Sequence, residues 1–312
     1  MSAAATSWIL SEGYAGLQAQ ALGLAEAAGL QPELRVLRPR APWRWVAASL
    51  WPAPLAAVGE AVRAPLPGLV IGSGGVAAAV GAALRGGGRS VVQVQHPRMD
   101  PRMFDLIVVN RHDELTGPNV LVTRTALHRA TPTRLAEAAQ QWAPRFEHLK
   151  RPLVAVLVGG SNGRFRLDAE VGGDLAGQLA AMMRRDGVGV TVTPSRRTDP
   201  AVTRVLTEAL SPMGGYVWDG NGDNPYYGML ALADAIVVTM DSVSMVSEAV
   251  ATEAPVMLAA LPGRSRRNRL FTDGLLAERR VREFAGRYEV WPVKALDDTP
   301  AAAAEMCRRL GI

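Results

Sequence analysis

Asp241, Ser242, Ser244, Ser247 and Glu248 crowd into "VTMDSVSMVSEA", directly after the apolar run "ADAIVV". A buried strand handing over to a helix at this point leaves the first-turn amides open. A Ser or Asp at the cap accepts one of them, and an early Glu suits the positive end of the helix dipole. The same amides bind phosphate, and a carboxylate one turn in accepts hydrogen bonds from ribose hydroxyls. Capping needs one such residue, so a cap and a ligand site can share the stretch.

Three more loops offer related chemistry. After "PLVAVLV" comes "GGSNGRF", where Gly159 and Gly160 with Ser161 and Asn162 let a backbone approach phosphate without Cβ obstruction. It lacks the Gly-Lys-Ser/Thr element of a Walker A loop, and an ordinary Gly-rich turn is the plain alternative. After "VGVTVTP" comes "SRRTDP": Ser195 and Arg196, with Arg197 beside them, suit a diphosphate, while Thr198 reads as the cap of the following helix. After "GYVW" comes "DGNGDNPYYGML", where Trp218, Tyr226 and Tyr227 fit a base pocket or, equally, a core, and Asn224 with Pro225 starts a helix.

The first half carries its own set. Gly13-Tyr14-Ala15-Gly16 turns into a helix containing Gln18 and Gln20, and Ser73 with Gly74 and Gly75 opens another. "QHPRMDPRMFD" places His96, Arg98 and Asp100 in one loop, and "NRHDE" places His112 and Asp113 in the next. A His beside a carboxylate can serve as a general base; a solvated loop His is the alternative. "APWRWVAASLWPAP" mixes Trp43, Trp45 and Trp51 with Arg40 and Arg44, which suits a membrane interface, an apolar acceptor groove, or a helix packed on its own domain.

Positioning these loops requires strands that end beside them. Short apolar runs recur as "SWIL", "ELRVL", "GLVIG", "SVVQV", "DLIVV" and "NVLVT", then as "PLVAVLVGG", "VGVTVTPS", "GYVWDG", "AIVVTM" and "APVMLAAL". Amphipathic stretches alternate with them, so the fold class is α/β with parallel sheets. Two series predict two Rossmann-like domains, over residues 1–125 and 151–298, joined by a charged helical linker over 126–150 above an interdomain cleft. A C-terminal helix follows over 299–312, capped at Thr299 with Pro300 in its first position.

Composition narrows the classes. The 312 residues are 48% hydrophobic and 20% charged, which argues for well-buried cores and against disorder. The net charge is +5, carried almost wholly by Arg, with Lys150 and Lys294 the only lysines. Such a balance suits anionic ligands or an anionic membrane surface, and it also follows from a high-GC genome. No dense basic tract with interleaved aromatics points to nucleic acid. Cys307 stands alone, and His96, His112, His128 and His148 lack metal-ligand spacing, so neither a disulfide nor a metal centre is expected. The N-terminus has no basic n-region and no long apolar core, and the apolar runs are broken by glycine, so neither a targeting peptide nor a membrane span is expected. A reducing, cytoplasmic location fits best.

Taken in order, Gly13-Tyr14-Ala15-Gly16 with Gln20, "QHPRMDPRMFDLIVVNRHDE", "GGSNGRF", "SRRT", "NPYYGMLALADAIVVTMDSVSMVSEA" and "GRSRRNRLF" resemble the mitochondrial-fission, elongated-mitochondria family, including its bacterial members, over nearly the whole chain. That family is similar in fold to two-domain GT-B glycosyltransferases, especially the lipid-linked peptidoglycan N-acetylglucosaminyltransferase. The resemblance matches Gly159, Gly160 and Ser161 to a Gly-Gly-Ser loop, and Ser247 with Glu248 to a Ser-rich turn that ends in a ribose-binding Glu. Asp241 and Ser242 stand where a Ser-Gly pair is found there.

The resemblance implies a nucleotide or nucleotide-sugar ligand in the C-terminal domain. Glu248 would hold ribose; Gly160, Ser161, Ser242 and Ser244 would meet phosphate, with Arg196 near. Gly13, Gly16, Ser73 and Arg98 would face a lipid-linked or protein acceptor, with His112, Asp113 or His96 as the base. No cofactor and no metal is implied, because helix N-termini and Arg can stabilise a leaving diphosphate. In plants the family is associated with recruiting a dynamin-related protein to mitochondria, which implies the alternative of a non-catalytic adaptor that binds a protein partner at a membrane surface. A Rossmann dehydrogenase or epimerase is disfavoured because no complete GxGxxG follows the first strand.

Overall fold

A computed structural model describes residues 7–312; Met1–Thr6, the leading part of the stretch read for a targeting signal, lies outside the described residues. The first series of elements is β1 (Ser7–Ser11), α1 (Ala15–Ala27), β2 (Glu33–Val36), α2 (Pro54–Val58), β3 (Leu69–Ser73), α3 (Gly75–Leu84), β4 (Ser90–Val94), β5 (Leu106–Asn110) and β6 (Val120–Thr123). All six strands are parallel, in the order β2-β1-β3-β4-β5-β6. Side chains alternate between the two faces. Trp8, Leu10, Val70, Ile107 and Val109 pack in one layer, Ile9, Ile71, Val92, Leu106 and Val108 in the other. The central strands β1, β3, β4 and β5 are covered on both faces, which is why they read as continuous apolar runs rather than alternating ones, while the edge strand β2 is largely exposed.

The second series is α4 (Pro132–Phe146), β7 (Leu153–Val158), α5 (Ala169–Asp186), β8 (Gly189–Pro194), α6 (Pro200–Leu210), β9 (Tyr216–Val217), α7 (Tyr226–Leu232), β10 (Ala235–Thr239), α8 (Val243–Val250), β11 (Val256–Ala259), α9 (Arg266–Ala277) and β12 (Val281–Glu283). It builds a second parallel sheet, β12-β11-β10-β7-β8-β9. The chain starts in the middle at β7, runs outward through β8 and β9, then returns to the other side of β7 with β10. This is the doubly wound order in which ligands sit at the carboxyl ends of the strands flanking the reversal, here β7 and β10. The short edge strand β12, "VRE", is not among the apolar runs of the sequence.

The compact units divide differently from the expected boundaries. One runs to Arg129 and takes in Asp298–Ile312 again; the other is Ala130–Asp297. The 126–150 stretch therefore does not stand apart as a linker. Its helix α4 belongs to the second unit, where Trp142 and Phe146 enter the core, and the ring of Trp142 lies so close to Gly228 on α7 that a Cβ there would overlap it. The last helix, α10 (Thr299–Leu310), belongs to the first unit and buries Ala302, Ala303 and Met306 in the layer that holds Ile9 and Ile71. Its cap position is Asp298 rather than Thr299. The Asp298 carboxylate instead accepts the Arg124 amide at 2.6 Å and pairs with its guanidinium, while Thr299 Oγ1 accepts the His128 amide at 3.3 Å.

Candidate functional site

At the reversal of the second sheet the loop after β7 meets the turn after β10. The Gly159 amide donates to Thr239 Oγ1 at 2.7 Å, and the Gly160 amide donates to Asp241 Oδ2 at 3.2 Å. Thr239 also donates its hydroxyl to Asp241 Oδ1 at 2.7 Å. Arg197 closes the cluster, donating to Asp241 Oδ2 at 2.9 Å and to the Gly160 carbonyl at 3.0 Å. The Asp241 side chain is 0% exposed. A carboxylate of the chain itself thus occupies the anion position that loop amides create at such a reversal. The two glycines have an internal reason as well: a Cβ at Gly159 would overlap the Asp241 carboxylate, and one at Gly160 would overlap the Arg197 backbone.

The neighbouring hydroxyls and amides are similarly engaged. Ser161 Oγ accepts the Leu167 amide at 2.8 Å and donates to its carbonyl at 3.0 Å; Asn162 Oδ1 accepts the amides of Arg164 and Phe165. Those bonds shape the loop rather than aim outward. Ser242 is the N-cap of α8, accepting the Met245 amide, while Ser244 lies half-buried in the first turn. Ser195 bonds to Thr198, and Thr198 reaches the carbonyls of Val158 and Gly159. The cap of α6 is Asp199, not Thr198. Of the two adjacent arginines, both exposed, it is Arg197 that enters the cluster rather than Arg196, the one expected at phosphate. Asn268, on α9, donates to the carbonyls of Met240 and Asp241 at 3.1 and 3.2 Å and fixes the turn from outside.

Glu248 lies deeper in α8, 8% exposed, and accepts a hydrogen bond from the Tyr226 hydroxyl at 2.5 Å. Burial pushes its carboxyl up to about 7, against the opposing pull of that hydrogen bond. Burial and the adjacent carboxylate push the Tyr226 phenol well above its ordinary value. Tyr226 and Tyr227 meet edge to face at 5.4 Å, and both rings, with Trp218 and Tyr216, pack half-buried against the core on the α4 side of the sheet. Trp218 Nε1 donates to the Asn221 carbonyl at 2.8 Å. At the far end of α8 the buried Arg280 guanidinium donates to the carbonyls of Val250, Thr252 and Ala254, a cation at the negative end of the helix. Burial lowers its pKa to about 10.

In the first unit the reversal lies between β1 and β3. There Glu12 Oε1 accepts the Val76 amide at 3.0 Å, so an acidic side chain already faces the first turn of α3, next to the fully buried Ser73. Gly13 precedes α1 with φ +85 and its amide donates to Ser11 Oγ; Gly16 is in the first turn of α1. His96 is exposed and its Nδ1 accepts the Arg98 amide at 2.9 Å, with Arg98 itself at φ +57. His112 is buried within a short 3-10 turn, and the adjacent Asp113 carboxylate accepts the Asn110 amide at 3.2 Å, forming a capping box with Asn110. An open depression lined by Arg85, Arg89, Arg102 and Asp105 sits where the chain enters β4 and β5, at the amino ends of the strands, and the Arg85–Asp105 ion pair fills part of it. Among the described residues no group of three or more His, Cys, Asp or Glu gathers to hold a metal, and no helix is long and apolar enough to cross a membrane.

Thr239 and Asn268 stood inside the motifs "VTMDSVSMVSEA" and "GRSRRNRLF" without a role, Arg280 lay outside every quoted motif, and Arg197, expected at a diphosphate, bonds to Asp241 instead. Each acts through a partner distant in sequence.

The family model described as Mitochondrial fission ELM1 matches residues 15–310. The Mitochondrial fission protein ELM1 of Arabidopsis thaliana is 33% identical over 247 residues, covering 70% of this chain and 58% of that protein. An uncharacterized protein of Rickettsia prowazekii, RP120, is 24% identical over 231 residues, covering 62% of this chain and 64% of that one. The chain thus spans about three-fifths of the length of these relatives. Among solved structures, Medicago truncatula UGT71G1 complexed with UDP-glucose superposes with a TM-score of 0.54 at 10% identity, covering 98% of this chain and 90% of that one. MurG of Acinetobacter baumannii does so with 0.51 at 14%, covering 98% and 90%. A putative UDP-N-acetylglucosamine 2-epimerase of Listeria monocytogenes gives 0.54 at 14%, covering 99% and 89%. At these identities the likeness is one of fold: the α/β fold of GT-B glycosyltransferases and related epimerases.

Proposed function

The chain belongs to the mitochondrial fission ELM1 family, and from that premise we propose that its second unit binds a nucleotide or nucleotide-sugar at the carboxyl ends of β7 and β10. The observation that carries this reading is Glu248: a buried carboxylate on the helix that follows β10, held in one orientation by Tyr226. A buried acid of this kind is costly unless something uses it, and two vicinal ribose hydroxyls are suited to it as donors. Trp218, Tyr226 and Tyr227 supply aromatic surface for a base nearby in the same layer. The fold likeness to proteins solved with UDP and UDP-glucose supports the same ligand class. Glycosyl transfer is the activity this reading leads to, with His112, Asp113 or His96 as the candidate base and a lipid-linked or protein acceptor.

Thermal unfolding against UDP, GDP, ADP and CMP, with their sugar conjugates, tests the binding step. A ligand at 100 times its dissociation constant adds about 2.7 kcal/mol, a rise of roughly 2–4 °C for domains of this size. The rise is expected with one nucleoside diphosphate and is expected to vanish in Glu248→Ala. Release of that nucleoside diphosphate from its sugar conjugate would then report transfer or hydrolysis.

A second reading, an adaptor at a membrane surface, is favoured by one specific observation. Trp45 and Leu50 are 70% and 72% exposed, Val46 and Leu55 are exposed beside them in sequence, and Arg44 stacks on the Trp45 ring at 4.2 Å. Trp43 and Trp51, by contrast, face each other at 6.4 Å and pack inward. Exposed Trp and Leu with Arg suit the headgroup boundary of an anionic bilayer. Cosedimentation with anionic vesicles, lost in Trp45→Ala/Leu50→Ala, is the expected outcome under this reading; unchanged partitioning would remove it.

A further inference from the structure

The loop after β7 and the loop after β11 pair with each other. Phe165 and Gly263 form an antiparallel bridge, flanked by an Arg264 amide donating to the Arg164 carbonyl at 3.0 Å and an Arg166 amide donating to the Pro262 carbonyl at 2.9 Å. Since β7 and β11 flank β10 on its two sides, this two-residue ribbon spans the end of β10. Its geometry is tightly set: Gly263 has φ +141, and a Cβ there would overlap the Arg164 carbonyl. Phe165 points inward and is buried in the core.

The bridge also brings two cations together. Arg164 and Arg264 flank it, joined backbone to backbone by the Arg264 amide, and both are exposed. Like charges on residues paired across two neighbouring segments repel. Arg166, two residues after Arg164, is compensated by Asp168 and Glu170. Among the described residues, no carboxylate pairs with either Arg164 or Arg264. Beneath the ribbon the loop amides of Gly159 and Gly160 are already bonded to Thr239 and Asp241, so an incoming anion finds its open donors on the ribbon.

We propose that Arg164 and Arg264 form an oxyanion clamp that binds a phosphate group of an external ligand across the ribbon. Two guanidiniums fixed on opposite strands offer the planar, charge-assisted donors that a phosphate dianion or a diphosphate takes up, and its charge relieves their repulsion. The phosphate belongs either to a nucleoside diphosphate or to a lipid headgroup. The clamp stands whether or not a ribose occupies Glu248.

The test is calorimetric titration of the full chain with inorganic pyrophosphate, UDP and uridine, alongside cosedimentation with phosphatidate and with neutral phosphatidylcholine vesicles. Pyrophosphate or phosphatidate binding is expected in the parent and is expected to weaken tenfold or more in Arg164→Gln/Arg264→Gln. Arg264→Glu, which turns the repelling pair into an ion pair, is expected to lose the anion while raising Tm, which separates lost binding from lost folding. UDP binding weakened by both Glu248→Gln and the clamp variant, with pyrophosphate binding weakened only by the latter, identifies a nucleotide as the source. Phosphatidate binding without UDP binding identifies a headgroup and removes the nucleotide reading while keeping the clamp. Binding in Arg164→Gln/Arg264→Gln within twofold of the parent, or no binding of pyrophosphate, UDP or phosphatidate vesicles by the parent, overturns the proposal.

Discussion

Glu248 couples the candidate site to pH. Its carboxyl is raised from 4.5 to about 7 by burial, so the folded state holds the proton more tightly than the unfolded chain does. Between about 4.5 and 7 the folded state therefore binds more protons, and stability falls as pH rises through that window. At roughly 1.4 kcal/mol per pKa unit the full cost is on the order of 3 kcal/mol. Glu248→Gln is expected to flatten this part of the stability–pH curve and to raise Tm at pH 8, as followed by thermal melts across pH. Tyr226→Phe removes the hydrogen bond that favours the charged form, so the fall in its curve is expected to extend to higher pH. The polar character of Glu248 after an apolar run is plain in the sequence; that Tyr226, 22 residues earlier, sets its orientation is not, because nothing local marks a side-chain hydrogen bond between α7 and α8.

At the scale of elements, the turn joining β10 to α8 is held from three sides: by Gly159 and Gly160 from the β7 loop, by Arg197 from the β8 loop, and by Asn268 from α9. If the glycine serves Asp241, Gly159→Ala should destabilise the second unit by about 1–3 kcal/mol through overpacking. Asp241→Gly opens the space the new methyl needs. The two changes are then expected to be strongly non-additive in urea unfolding, with the double variant closer to Asp241→Gly than the sum of the singles. Additive losses would remove Asp241 as the reason for the glycine. At the other end of α8, Arg280→Met leaves the Val250, Thr252 and Ala254 carbonyls without their donor. The expected loss is about 1–3 kcal/mol for each buried acceptor left unsatisfied, partly relieved by water, and is read as a lower denaturation midpoint. The sequence made the strands legible because burial on both faces writes them as unbroken apolar runs. It made the Gly-Gly pair legible only as a place of close approach; the same pattern serves a phosphate or a carboxylate of the chain, and a partner 81 residues away decides between them. Strand β12 was missed because an edge strand of three residues, two of them charged and exposed, leaves no apolar run.

Across the whole molecule, two strand series in the sequence correspond to two parallel sheets, but the chain does not partition between them at one point. After completing the second unit it returns, and α10 supplies part of the first unit's core: Met306 and Ala303 are fully buried beside Ile9, Leu24 and Ile71. The return is fastened by Asp298, which accepts the Arg124 amide and pairs with its guanidinium; that guanidinium and the Arg124 amide together hold the carboxyl below its ordinary value despite burial. Local sequence predicts the helix well, through Pro300 in the first turn and Arg308 and Arg309 in the last, yet has no means of saying which core its Ala-rich face completes. A chain ending at Asp297 loses the burial of Met306, about 1.5–3 kcal/mol alone, together with the alanine contacts and the Arg124 pairing. In calorimetry, the truncated chain is expected to lose or lower the transition of the first unit while the second, residues 130–297, melts near its original temperature. Arg124→Ala is expected to shift the same transition in the same direction by a smaller amount. A single transition lowered as a whole would mean that the two units unfold as one cooperative body, and the energetic division between them would have to be abandoned.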